Sequence, residues 1–261
     1  MKTTLTCIGT ATVLLEAGGL NLLTDPVFDH APVEYPTGPV TLRSLVGPAV
    51  EPADLPVLDA ILLSHDEHPD NLDVAGRALL DGRTVLTTVS GAGRLGGDAV
   101  GLAPWETHEI TGERGTLLVT ATPGRHAGDV IGFLIRTPGE EKALYVSGDT
   151  VYYDELDEIG RRCSVGTAVL HFGAAVVPFF GADPITMDGE QGARLARSLG
   201  AETVVPVHYD AWDHFTEGRD GIVDAFTRAG LPHLLRWPER GVRTVIDSGT
   251  SSWGASAVCG P

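Results

Sequence analysis

The stretch that most constrains this chain is residues 60–73. An apolar run from Ala60 to Leu63 stops abruptly at Ser64, His65, Asp66, Glu67, His68, Pro69, Asp70, Asn71, Leu72 and Asp73. A short apolar run bounded by polar turn residues is the pattern of a buried strand. This one would deliver imidazoles and carboxylates to a single sheet edge, and burying so many ionisable groups is costly unless they have partners. A divalent cation satisfies carboxylates and neutral imidazoles together. The competing reading is a solvated loop with chance histidines, and the motif by itself does not separate the two.

The pattern recurs further along. Residues 142–147 form an apolar run ending in Gly148 and Asp149, and residues 203–209 form another that ends in His208. Between strand-like runs at 115–121 and 130–135 lies a turn carrying His126. Loops from separate strands can converge on one site at a sheet edge. The donors are histidines and carboxylates without thiolate, a set that suits Zn²⁺ first and Mn²⁺ or Fe²⁺ as well. His65, His68, Asp70, His126, Asp149 and His208 are more than one tetrahedral ion needs, so two ions sharing Asp149 are expected. Paired ions ~3.5–4 Å apart stabilise attacking and leaving oxygens together, which is a hydrolytic arrangement.

Elsewhere, residues 5–8, 12–16 and 20–24 read as strands around a glycine turn, stopped by Asp25 and Pro26. Residues 29–56 are rich in Pro and Gly and read as a long surface segment, the kind that forms a lid or binding wall. Residues 73–80 have helical spacing with Asp70 or Asn71 as cap. Residues 84–89 read as a strand, 90–97 as a glycine-rich turn and 167–172 as a strand. Helices are expected over 188–199, with Gly200 as its stop, and over 221–229, with a last strand at 243–246. A single domain over 1–247 and a flexible tail over 248–261 follow.

The chain has 261 residues, 43% of them hydrophobic and only 6% aromatic, so an ample core must rest on aliphatic side chains. A formal net charge of −17 argues against nucleic acid as a partner. No apolar run approaches the ~20 residues that span a bilayer, and the first residues lack a signal-peptide core. Cys7, Cys163 and Cys259 have neither metal-site nor disulfide-framework spacing, so reduced thiols and a cytoplasmic location are expected. The expected partner is a small-molecule substrate rather than a membrane; a homo-oligomer is left open.

These motifs together resemble the metallo-β-lactamase superfamily, and most of all its branch of L-ascorbate-6-phosphate lactonase-like metal-dependent hydrolases. Residues 8–16 and 22–28 resemble that branch's opening hairpin, residues 122–126 its third-histidine turn, and Ser147-Gly148-Asp149-Thr150 its bridging-aspartate motif. Residues 185–209 resemble its last helix, strand and final histidine. The family pattern His-x-His-x-Asp-His is altered here. With His68-Pro69-Asp70-Asn71 matched to its right half, Asn71 replaces the last histidine, while a left-hand match would put Glu67 in place of the second. Thr10 also stands where the branch has histidine.

The resemblance implies a four-layer αββα sandwich, an α/β (α+β) fold, with the site at one edge of its paired sheets. It implies that His65, His68 and His126 hold a first ion, and Asp70, Asp149 and His208 a second that Asn71 weakens. A water ionised between them would attack a small ester-type substrate, a phosphodiester or lactone, with Asp70 orienting it and passing a proton on. The alternatives are a mononuclear hydrolase and a non-catalytic metal-binding protein. Among the other histidines, His214 is read as facing substrate, His171 as a satisfied core residue, His108 as a surface loop residue, and His30 and His233 as surface.

Overall fold

The computed structural model describes residues 3–246; the expected tail over 248–261 and Cys259 lie outside them. The strands are β1 (Thr3–Gly9), β2 (Thr12–Ala17), β3 (Leu20–Thr24), β4 (Val33–Thr37), β5 (Val40–Ser44), β6 (Ala60–Leu62), β7 (Val85–Thr88) and β8 (Ala99–Leu102). They continue with β9 (Thr107–Gly112), β10 (Gly115–Pro123), β11 (Ile131–Arg136), β12 (Lys142–Val146), β13 (Ser164–His171), β14 (Thr203–Val207) and β15 (Thr244–Ile246). The helices are α1 (Val74–Ala78), α2 (Val89–Leu95), α3 (Asp157–Arg162), α4 (Gly189–Leu199) and α5 (Arg219–Arg228).

A seven-stranded sheet runs β15-β1-β2-β3-β6-β7-β8 and a six-stranded sheet runs β14-β13-β12-β11-β10-β9. Their facing sides interdigitate through Leu15, Leu22 and Leu62 of the first and Val119, Phe133 and Val169 of the second, all buried. A second cluster, with Tyr145, Leu170 and Phe172, packs the six-stranded sheet against Leu156, Ile159, Leu195 and Phe226 of the α3–α5 side. A third buries the outer face of the seven-stranded sheet, Leu23, Ile61 and Val85, under Leu72, Ala75 and Leu95. The layers are therefore helix, sheet, sheet, helix, as the resemblance implied. Burial is mostly aliphatic, and apolar area removed from water drives it at ~25 cal/mol per Å².

Parallel pairing surrounds most of the strands that carry donors: β3, β6 and β7 pair in parallel, as do β12, β13 and β14. β10 and β12 each run antiparallel to β11, so they point the same way. The C-terminal ends of β6, β10, β12 and β14 thus lie at one edge, and crevices outside the carboxyl ends of parallel strands are where α/β sheets place ligands.

Several local expectations are corrected. Residues 29–56 contain the β4–β5 hairpin, missed because Val33, Tyr35 and Val40 alternate too briefly among Pro and Gly. The cap of α1 is Asp73, not Asp70 or Asn71: its side chain accepts from the Gly76 N–H at 2.6 Å. The glycine-rich stretch at 90–97 is mostly helix α2, capped by Thr88 Oγ1 at 2.9 Å from the Gly91 nitrogen. His108 is in strand β9, not a loop. Cys7 is a free cysteine, as expected.

Candidate metal centre

The apolar run of β6 ends as expected, and the chain then turns tightly: the His68 carbonyl accepts from the Asn71 and Leu72 nitrogens. This turn aims His65, His68 and Asp70 inward. Asp66 points away and is held by several guanidinium contacts from Arg94, while Glu67 lies at the cavity wall with Oε2 3.3 Å from Arg94. The right-hand match of the motif is therefore the one the fold adopts. Gly148 allows Asp149 to enter from β12: its φ is +61°, and a Cβ there would stand 2.6 Å from the Ile131 carbonyl and 2.8 Å from Ser64 Cβ. Only glycine adopts that conformation in that space without strain.

Two trios result. Single donor atoms of His65, His68 and His126 lie within 4.8 Å of one another, and so do those of Asp70, Asp149 and His208. His68 Nδ1 is 2.9 Å from both His65 Nε2 and His126 Nε2. His208 Nε2 is 3.2 Å from Asp70 Oδ2 and 3.3 Å from Asp149 Oδ2. Asp149 also reaches the histidine trio, with Oδ2 at 3.9 Å from His126 Nε2.

The residues fit a pair of cations on observations of their own. Each of the deeper histidines engages its far ring nitrogen elsewhere: His65 Nδ1 with Ser64 Oγ at 3.0 Å, His126 Nδ1 with the Ile185 carbonyl at 2.7 Å, and His208 Nδ1 with the Phe172 carbonyl at 3.2 Å. That arrangement fixes ring orientation and leaves Nε2 for a ligand, as outer partners of metal-bound histidines do. Asp70 Oδ1 and Asp149 Oδ1 are buried without a hydrogen-bond partner, a cost that buried carboxylates do not normally carry.

The electrostatics agree. Burial, reinforced by His126 and His68, pushes the His65 imidazole well below its ordinary range, and burial likewise lowers His126. These are neutral rings, the form that binds metals. In the acidic trio burial also opposes charge, but Asp149 and Asp70 outweigh it and lift His208 to about 9. Asp70 and Asp149 stay anionic against their burial because of His208 and the other histidines facing them. A protonated His208 is the charge that a cation would displace.

The site forms the floor of a cavity of about 260 Å³. His214 lines it and sets Nε2 3.1 Å from Asp70 Oδ2. Asn71 is fully buried, with Oδ1 unpartnered and Nδ2 3.5 Å from Ser64 Oγ. His171 is buried as expected, with Nδ1 3.2 Å from Ser147 Oγ and Nε2 3.5 Å from Asp25 Oδ2. His30 and His233 are exposed. Sequence reasoning missed Asp25, fully buried behind the site, which accepts the Ser64 N–H at 2.7 Å. Its only signal was an acid at the end of strand β3, which is equally the signature of a turn.

Paired sheets with imidazoles and carboxylates gathered at one edge define the metallo-β-lactamase fold. The family model for the beta-lactamase superfamily domain matches residues 20–209, and the chain belongs to that family. A UPF0173 metal-dependent hydrolase of Methanoregula boonei is 28% identical over 129 residues, 45% of this chain and 53% of that protein. The chain thus spans about half of that relative. The UPF0173 protein YddR of Bacillus subtilis is 26% identical over 253 residues, 91% of this chain and 97% of that protein. In fold, the chain resembles the crystal structure of isothiocyanate hydrolase from Delia radicum gut bacteria, with a TM-score of 0.79 at 24% identity over 94% of this chain and 100% of that one. These likenesses reach the superfamily and do not single out its lactonase branch.

Proposed function

We propose that the chain is a dinuclear hydrolase cleaving a small ester-type substrate, a lactone or phosphodiester. The observation that carries this reading is the pair of donor trios joined through Asp149 on the floor of a cavity. His65, His68 and His126 would hold one divalent ion, and Asp70, Asp149 and His208 the other, with Zn²⁺ the best match to the donors and Mn²⁺ or Fe²⁺ acceptable. Such ions supply Lewis-acid activation of water and of the scissile group.

The chain's own residues do the rest. Asp70 lines the cavity with Oδ1 unpartnered, placed to orient the attacking water and carry its proton to the leaving group. His214 steadies Asp70 through Oδ2 and touches the substrate from the cavity wall. Ser64 and the Ile185 and Phe172 carbonyls keep the histidine rings aimed.

The test is to strip the protein with chelator, reload Zn²⁺, Mn²⁺ or Fe²⁺ singly, and assay bis(p-nitrophenyl) phosphate, a p-nitrophenyl ester, a lactone and an isothiocyanate. Activity should appear only on reloading and vanish in Asp149→Ala. Activity indifferent to chelator would refute the proposal. A second reading, a mononuclear enzyme, is favoured by one observation: buried Asn71 stands where the motif has histidine. It predicts full activity at one ion per chain.

A further inference from the structure

We infer that the part of the substrate remote from the scissile bond is uncharged and apolar, an aryl ring or a medium-length alkyl chain. This rests on the hydrolase reading of the same site and narrows it.

The walls above the metal centre come from two segments. The β4–β5 hairpin contributes Val40 and Leu42, and the loop between β13 and α4 contributes Val177, Phe179, Phe180 and Ile185. Among the described residues lining the cavity there is no lysine or arginine. The acidic side chain outside the two trios is Glu67, already paired with Arg94 at 3.3 Å. A phosphate or carboxylate carried away from the scissile bond would therefore meet hydrocarbon and a like charge, with no counter-charge to offset its desolvation. The chain's net charge of −17 adds long-range repulsion.

The mouth carries the complementary signal. Phe179 and Phe180 are 63% and 48% exposed, large apolar side chains at the rim of a polar floor. The Phe180 ring lies 6.2 Å from the His68 ring, so an apolar group passing it enters directly against the histidine trio. Both walls are tied to the site rather than loose. The Val176 N–H donates to the His214 carbonyl at 3.0 Å, the Ile185 N–H to the Ala175 carbonyl at 2.9 Å, and the Leu45 N–H to the Ala211 carbonyl at 2.7 Å. A preformed apolar pocket with its polar groups gathered at one end is the usual build of a small-molecule site. Its ≈ 260 Å³ is room for roughly nine water-sized groups at ~30 Å³ each, enough to take a phenyl or hexyl group together with the scissile group.

The test uses the metal-loaded full chain and p-nitrophenyl esters of acetate, butyrate and hexanoate, with the half-ester of adipate as the anionic counterpart of hexanoate. kcat/KM should rise about two- to fourfold per methylene, and hexanoate should beat the adipate half-ester. Phe180→Ala should lower the hexanoate-to-acetate ratio by roughly tenfold. Val40→Lys should lower hexanoate turnover and raise that of the adipate half-ester. Calorimetric binding of acetohydroxamate and octanohydroxamate reads the tail without turnover: the longer probe should bind more tightly, and the difference should shrink in Phe180→Ala. Circular dichroism and metal content verify that the variants fold. Turnover without dependence on chain length, or a preference for the adipate half-ester, overturns the inference and leaves the hydrolase reading intact. Tail-dependent hydroxamate binding without turnover of any ester upholds the apolar pocket and overturns the hydrolase reading.

Discussion

Gly192 offers a sharp test of how the fold supports the site. It lies inside α4, where replacing glycine by alanine ordinarily gains up to about 1 kcal/mol through backbone entropy. Here a Cβ would stand 2.1 Å and 2.5 Å from two ring carbons of Phe172. Carbon contacts are comfortable at about 3.5–4 Å, so ring and helix must separate by roughly 1.5 Å. The ring cannot yield freely, because Phe172 is fully buried and belongs to the cluster that joins α4 to the six-stranded sheet. Overpacking costs about 1–3 kcal/mol, and a clash this deep against a ring that cannot move takes the upper end; less the helix gain of about 1 kcal/mol, the net loss is about 2 kcal/mol. At about 2–4 °C per kcal/mol for a chain of this size, the Tm of Gly192→Ala should fall by about 4–8 °C. The Phe172 carbonyl holds His208 Nδ1 at 3.2 Å, so affinity for the second ion should weaken as well. Gly93→Ala is the control: it lies within α2, and a Cβ there meets nothing within 4 Å. Urea unfolding of both variants, with metal titration of each, reads the comparison. Gly192→Ala as stable as the parent would refute the packing argument, and so would a Gly93→Ala that loses as much.

Other outcomes follow from the same geometry. Asp25→Ala removes the acceptor of the buried Ser64 N–H; an orphaned buried donor costs about 1–3 kcal/mol, and the loss of an outer partner should cut metal affinity about 10- to 100-fold, read by denaturation and competition with a chelating dye. Burial, eased by Arg240 and reinforced by Asp210, pushes the Cys7 thiol from 9.0 up to about 12. At pH 8 its thiolate fraction is then about a thousandfold smaller than that of an ordinary thiol, so iodoacetamide labelling followed by peptide mass spectrometry should find it about that much slower. The unfolded thiol ionises first, so this group withdraws stability as pH rises from 9 toward 12; Cys7→Ala should flatten that decline.

Much of the site was legible because its donors sit where an apolar run breaks off. His68, Asp149 and His208 each follow a strand whose composition announces burial, and a polar residue that ends such a strand has nowhere to go but the edge. His126 was marked by its turn. What stayed hidden is set by distance along the chain. Nothing local says that Asp25 reaches Ser64, or that the loop at 173–186 and the β4–β5 hairpin wall one cavity. The hairpin's short alternation is masked by Pro36 and Gly38, and α2 by Gly91 and Gly93, whose helical state depends on the Thr88 cap and on close packing. At Gly91 a Cβ would stand 3.0 Å from Asp66 Oδ1. Tertiary contact, not propensity, decides these segments.

The central claim is that separate strand ends assemble one centre for a pair of cations. Metal content by plasma mass spectrometry, on protein purified without chelator and reloaded with Zn²⁺, addresses it most directly. About two ions per chain are predicted, falling toward one or none in Asp149→Ala. A protein that keeps no stoichiometric metal, or whose content is unchanged when His126, Asp149 and His208 are replaced, would contradict it.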